Sequence, residues 1–161
     1  MNDLFQRLQE LQLLVEDGNR RALARFEITP TQYQALRSLD RGPRGGMTVT
    51  QVADALLCTR GNATRLVRRL LDLGMVQTRS DEQDHRIVVV SPTALGKRTY
   101  RAADKVLQAA GARRLSGTSA KDRVLLEGLI DDLTVSLRRD LAEQVAPAGG
   151  TGATARRRAT G

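Results

Sequence analysis

The chain has 161 residues, 40% of them hydrophobic and 27% charged, which is enough for one compact domain and short for two. A net charge of +8 and an isoelectric point near 10.9 direct it toward polyanions, and removing the tail arginines Arg156, Arg157 and Arg158 still leaves +5 on residues 1–145. A single cysteine, Cys58, and a single histidine, His85, exclude an intramolecular disulfide or a Cys/His zinc cluster within one chain and leave little for a Ser-His-Asp or Cys-His arrangement.

No enzymatic activity, cofactor or metal is expected on these grounds. The N-terminus has no basic segment followed by an apolar core, and no run approaches about 18 apolar residues, so a cytoplasmic protein with no membrane partner is expected.

In chain order, Leu4, Leu8, Leu11, Val15, Gly18, Ala22 and Phe26 recur at spacings of three and four, which gathers them on one stripe of a long helix over about 3–26. Such a stripe needs a partner helix. Thr29-Pro30-Thr31-Gln32 then supplies a threonine cap, a proline at the first helical position and a glutamine placed for a capping box. The helix that follows runs to about Leu39, with Tyr33, Leu36 and Leu39 on its apolar side. Asp40 to Gly46 is rich in glycine and cannot continue it, so a loop is expected.

Thr48 and Gln51 repeat the capping-box pattern and start a short helix whose Val52, Ala53 and Leu56 point inward. A break near Cys58 and Thr59 leads into a helix from Arg60 to Leu73, closed by Gly74. Two short capped helices joined by a tight break form the helix-turn-helix pattern. From Met75 the period becomes extended: Val76 to Arg79 alternates, a polar stretch follows, and Ile87 to Val90 is a β-branched run, so a hairpin is expected. Thr93 caps a helix to about Leu115, and Ser119 with Asp122 begins a last one striped by Leu126, Ile130, Leu133, Leu137 and Leu141. Residues 146–161 have nothing to bury and read as a disordered basic tail. The stripes at both chain ends predict a homodimer.

The chemistry lies in the middle. Turned at about 100° per residue, the helix after Cys58 gathers Ala63, Leu66, Val67, Leu70 and Leu71 on a buried side. Arg60, Gly61, Asn62, Arg65, Arg68 and Arg69 are left on or near the other, which can enter a major groove. Arginine pairs with guanine and asparagine with adenine, and a small Gly61 permits close approach to the duplex. At the hairpin, Asp84 lies two residues before Arg86, near enough for a charge-assisted hydrogen bond that would hold the guanidinium outward. Arg86 with Arg79 would then suit a narrow minor groove, and His85 beside them adds charge below about pH 6.5. Taken alone, the Asp84–Arg86 pair equally fits an ordinary surface ion pair.

The stretch from Ile28 to Thr99 resembles the MarR family of bacterial transcriptional regulators. Ile28-Thr29-Pro30-Thr31-Gln32-Tyr33 with Leu36 and Leu39 is similar to its second-helix signature, and Thr48 to Leu57 with Asn62 to Leu70 and Gly74 to its helix-turn-helix. Asp84-His85-Arg86 followed by Val90 and Thr93 is similar to its wing, with Pro92 where the family usually has leucine. The resemblance implies a mainly α fold with a small β-hairpin wing: one MarR-like domain over 1–145, with the winged helix-turn-helix at about 30–92. Dimerisation helices are expected at about 3–26, 93–115 and 119–145.

The function it implies is a dimeric repressor on double-stranded DNA with a pseudopalindromic operator, released by a small aromatic or phenolic effector or by cysteine oxidation. Arg20, Arg21, Tyr33 and Tyr100 are candidates to line the effector pocket. Cys58, at the start of the recognition helix, is a redox candidate or else a small buried residue. A non-specific architectural DNA binder is the competing reading of the basic charge.

Overall fold

In a computed structural model of the protein, the described residues are 2–81, 84 and 86–145, so His85 and the expected tail lie outside them. The chain divides into two units, one through Arg114 and one from Leu115 onward. In the first, the elements are α1 (Asn2–Leu23), α2 (Pro30–Arg41), β1 (Met47–Thr48), α3 (Val49–Ala55), α4 (Arg60–Asp72), β2 (Val76–Ser80), β3 (Val88–Pro92) and α5 (Ala94–Arg114). The second holds α6 (Ala120–Val145).

The helix starts follow the capping chemistry. Thr29 accepts from the Gln32 backbone N–H while the Gln32 side chain accepts from the Thr29 N–H, and Thr48 with Gln51 repeats the arrangement for α3. The Thr59 hydroxyl accepts from Asn62 N at 3.3 Å to open α4, and Thr93 accepts from Gly96 N at 3.1 Å to open α5. At the other end of α4, Gly74 takes φ +66°, where a residue without Cβ is unstrained.

The core takes its largest fully buried side chains from five elements: Leu23 of α1, Leu36 of α2, Val52 of α3, Leu70 of α4 and Val90 of β3. No two are neighbours in sequence, so the core closes only when all five elements dock. Gly96 shows how tight the closure is, because a Cβ there would stand 2.0 Å from the Met75 carbonyl oxygen. A side chain at 96 would push the first turn of α5 off the start of the wing.

Several boundaries and burials differ from the sequence expectation. Helix α1 ends at Leu23 instead of about Phe26, and Ala24–Phe26 forms a 3-10 turn followed by Glu27 at φ +56°. The reversal brings Thr29 into the extended conformation that a residue before proline requires. Helix α2 continues to Arg41, two residues past the expected end. The wing is a three-stranded antiparallel sheet in the order β1-β3-β2, not a bare hairpin, because Met47 and Thr48 pair with Val90 and Val89. Leu71, expected inside, is 37% exposed, since Ala63, Val67 and Leu70 already satisfy the core.

Helix α6 forms where Ser119 caps it, with Asp122 N donating to the serine hydroxyl at 3.1 Å. Leu126, Ile130, Leu133, Leu137 and Leu141 fall on one side as expected, and all are exposed, as are Val124 and Val135 elsewhere on the helix. No helix among the described residues is long and apolar enough to cross a membrane.

Candidate nucleic-acid interface

Burial of Ala63, Val67 and Leu70 fixes the rotation of α4 about its own axis, and that rotation decides what the solvent side offers. Arg60, Gly61, Asn62, Arg65, Arg68 and Arg69 are all exposed. At about 100° per residue, Gly61, Arg65 and Arg68 lie opposite the core, with Asn62 and Arg69 on one flank and Arg60 on the other. A Cβ built on Gly61 would meet nothing within 4 Å, so the near end of α4 is open to a duplex. Asp72 shares the outer face at the far end, where an acid repels phosphate and sets a limit to the basic surface.

The Arg60 flank faces a cleft of about 450 Å³ between α3, α4 and the wing. Arg60 and Arg68 of α4 and Arg86 of the wing line it, together with Thr48, Thr50, Thr64 and Thr78 and an apolar set of Val67, Leu71, Ile87 and Val88. Three guanidinium groups and four hydroxyls around one furrow make a seat suited to a phosphodiester strand. Sequence reading missed the threonines. The signal was present in Arg60, Thr64 and Arg68, whose four-residue steps align them on one side of α4. It also gives the exposed Leu71 a place, as part of the wall of this furrow.

The wing is held by backbone contacts. Asp81 N donates to Ile87 O and Ile87 N to Asp84 O, both at 2.9 Å, while Asp84 N reaches the Asp81 carboxylate at 3.2 Å. The expected brace on Arg86 is corrected: the Asp84 carboxylate accepts from the Arg86 backbone N–H at 3.0 Å, and no ion pair between these two side chains forms. The carboxylate is instead taken up by the backbone N–H two residues on, an Asx-turn geometry. Asp84 therefore shapes the loop that carries Arg86. Arg79 is tied back, its guanidinium donating to Gly45 O at 3.3 Å in the loop before β1.

The four residues expected to line an effector pocket are not gathered at one. Tyr33 and Tyr100 are buried with ring centroids 5.7 Å apart, and the Tyr33 hydroxyl donates to Asp104 at 2.5 Å. Burial, reinforced by that carboxylate, pushes the Tyr33 phenol well above its ordinary range. Arg20 and Arg21 are exposed and both pair with Asp17, whose carboxyl the Arg21 and then the Arg20 hydrogen bonds hold below its ordinary value. Periodicity had placed Tyr33 on an apolar side but could not tell a pocket wall from a core pair. Cys58 is half-buried, in contact with the core and beside Asp54, Leu57 and Asn62 in an open cleft.

A capped helix-turn-helix whose second helix turns its cations outward, backed by a sheet that sets another arginine beside it, defines a winged helix-turn-helix DNA-binding regulator. Residues 26–87 match the model of the MarR family. The chain is 22% identical over 140 residues to the HTH-type transcriptional regulator YybA of Bacillus subtilis, spanning 87% of this chain and 92% of YybA. To the transcriptional activatory protein BadR of Rhodopseudomonas palustris it is 31% identical over 100 residues, spanning 62% of this chain and 57% of BadR. Among solved structures, the transcriptional repressor CouR bound to a 23-mer DNA duplex is similar at a TM-score of 0.72 and 25% identity, over 80% of this chain and 89% of that one. Over residues 26–87 the chain is thus similar to the MarR family, and the relatives it matches are transcriptional regulators.

Proposed function

We propose that the protein is a homodimeric, sequence-specific repressor acting in the cytoplasm on a pseudopalindromic operator. The observation that carries the DNA-reading part is the pairing of the outward Gly61, Asn62, Arg65 and Arg69 with a separate cationic furrow lined by Arg60, Arg68 and Arg86. The first set offers base-edge chemistry and the second holds a strand in register, the division of labour that specific recognition requires. Arg86, on the loop that Asp84 shapes, extends from the furrow toward the minor groove at the wing, while Arg79 is held back by its bond to Gly45. Dimerisation is supported by exposed Leu4, Phe5, Leu11, Leu14 and Val15 on α1 and by the exposed leucines of α6, a larger apolar surface than a monomer normally leaves in water.

The repressive direction and release by a small aromatic ligand rest on the family resemblance. Of the four pocket candidates, the exposed Arg20 and Arg21 are the ones placed to meet such a ligand directly, whereas Tyr33 and Tyr100 are buried against each other. Selection from a randomised duplex library tests the reading. The expected outcome is one inverted repeat of about 15 to 20 base pairs with half-sites about one helical turn apart, and a reporter silenced from it. Equal affinity for selected and random duplex would mean an architectural binder instead.

A further inference from the structure

Helix α5 carries a second basic surface that the recognition helix and wing do not use. Lys97, Arg98, Arg101 and Lys105 are all exposed and, at about 100° per residue, share roughly a quarter of the helix circumference. The single acid of α5, Asp104, falls at the edge of the stripe, about 20° from Lys97, and its carboxylate accepts from the Tyr33 hydroxyl at 2.5 Å and from the Gln108 amide at 2.7 Å. Four cations against this one carboxylate leave the stripe net positive, and none of the four is ion-paired with it among the described residues.

It is also continuous with the wing. Lys97 and Arg44 line one cleft of about 500 Å³, with Gln77, Ser91 and the acid Asp40. The residue after Arg44 is Gly45, whose carbonyl receives the Arg79 guanidinium of β2. Cations thus run from Arg79 through Arg44 to Lys97 and on along α5, interrupted by the single carboxylate of Asp40. From Lys97 to Lys105 the rise is about 12 Å, a length over which one DNA strand presents three or four phosphates. Number and spacing of charge match a strand of duplex.

We infer that the α5 stripe binds the phosphate backbone of duplex DNA flanking the operator, on the wing side of each protomer. The inference rests on the DNA-reading role of α4 and the wing, and extends the footprint beyond them. A surface of this kind adds affinity without reading sequence.

The test uses the full chain and the quadruple variant K97Q/R98Q/R101Q/K105Q. The operator core selected by the wild-type protein is embedded centrally in duplexes of about 24 and about 50 base pairs, and affinity is measured from 50 to 200 mM salt. The wild type should show a steeper salt dependence on the long duplex, by about 3 to 4 in the log–log slope per protomer, which is about 100-fold more affinity lost across that range. The variant should show the short-duplex slope on both. Equal wild-type slopes on the two lengths, or a variant that keeps the steeper one, would overturn the inference. A variant with unchanged binding that loses control of a reporter would assign the stripe to an acidic protein partner and overturn it equally. If no operator is selected, the sequence-specific reading fails, and the same slopes on random-sequence duplexes of both lengths still decide the stripe.

Discussion

Helices α4 and α1 make opposite use of the same kind of apolar stripe. In α4 the stripe is consumed: Ala63, Val67 and Leu70 are at most 5% exposed, and the remaining surface is left to cations. Among the described residues of α1 only Leu23 is fully buried, while Leu4, Phe5, Leu11, Leu14 and Val15 stand between 40% and 66% exposed. A helix with a finished interior presents its chemistry to a ligand, and one without presents its interior to another protein. In the proposed dimer, each protomer would contribute one DNA-reading face and one incomplete helical end, and joining two such ends would set the spacing of the two reading faces.

The comparison breaks most severely at α1. Replacing Leu4 and Leu11 together by glutamate should convert a dimer to a monomer in sedimentation and weaken operator binding about 100-fold or more, because two half-sites would no longer be held by one particle. A dimer that survives would place the interface elsewhere. At α4 the cost should appear as stability: Leu70→Ala is expected to lower unfolding free energy by about 2–5 kcal/mol in urea titration. Leu71→Ala, at 37% exposure, should cost much less and instead perturb DNA binding through the furrow. Equal destabilisation by the two would contradict the rotation of α4.

On the outer face, Arg65→Ala should remove about 1–3 kcal/mol of discrimination among operator variants while leaving folding intact. A uniform loss on every duplex would mean that Arg65 touches phosphate alone. The smallest effect is expected at Tyr33. Tyr33→Phe deletes the hydrogen bond to Asp104 and should cost about 0.5–1.5 kcal/mol. The wild type should also lose stability as pH rises past about 10, because the unfolded chain then releases a phenolic proton that the folded protein retains. The Phe variant should lack that component, and parallel pH profiles for the two proteins would count against the buried pair.

Local chemistry made much of this legible in advance. Thr29, Thr48, Thr59, Thr93 and Ser119 each cap a helix by accepting a backbone N–H within three residues, so a reader of the chain could place those starts. The outward position of Arg65 and Arg68 followed from helical period alone. What the chain did not disclose were contacts between distant segments. Strand β1 is two residues long, too short for any alternation, and exists because Val89 and Val90 offer it partners some forty positions away. Arg79 looked like a free probe until Gly45, 34 residues earlier, was found to accept its guanidinium.

The wing separates the two kinds of information most cleanly. Asp84 and Arg86, two residues apart, could be read as a braced pair from sequence, and the structure keeps the contact but moves it to the backbone N–H. Sequence by itself determined the capped helices, the helix-turn-helix and the sign of the surface charge, because capping and periodicity act within a few residues. Only the tertiary structure decided which side chains share the furrow, that Tyr33 and Tyr100 form a core pair, and that α1 is left with an uncovered stripe. Those outcomes depend on how separate elements compete for one interior, and that competition is settled only when all of them are packed together.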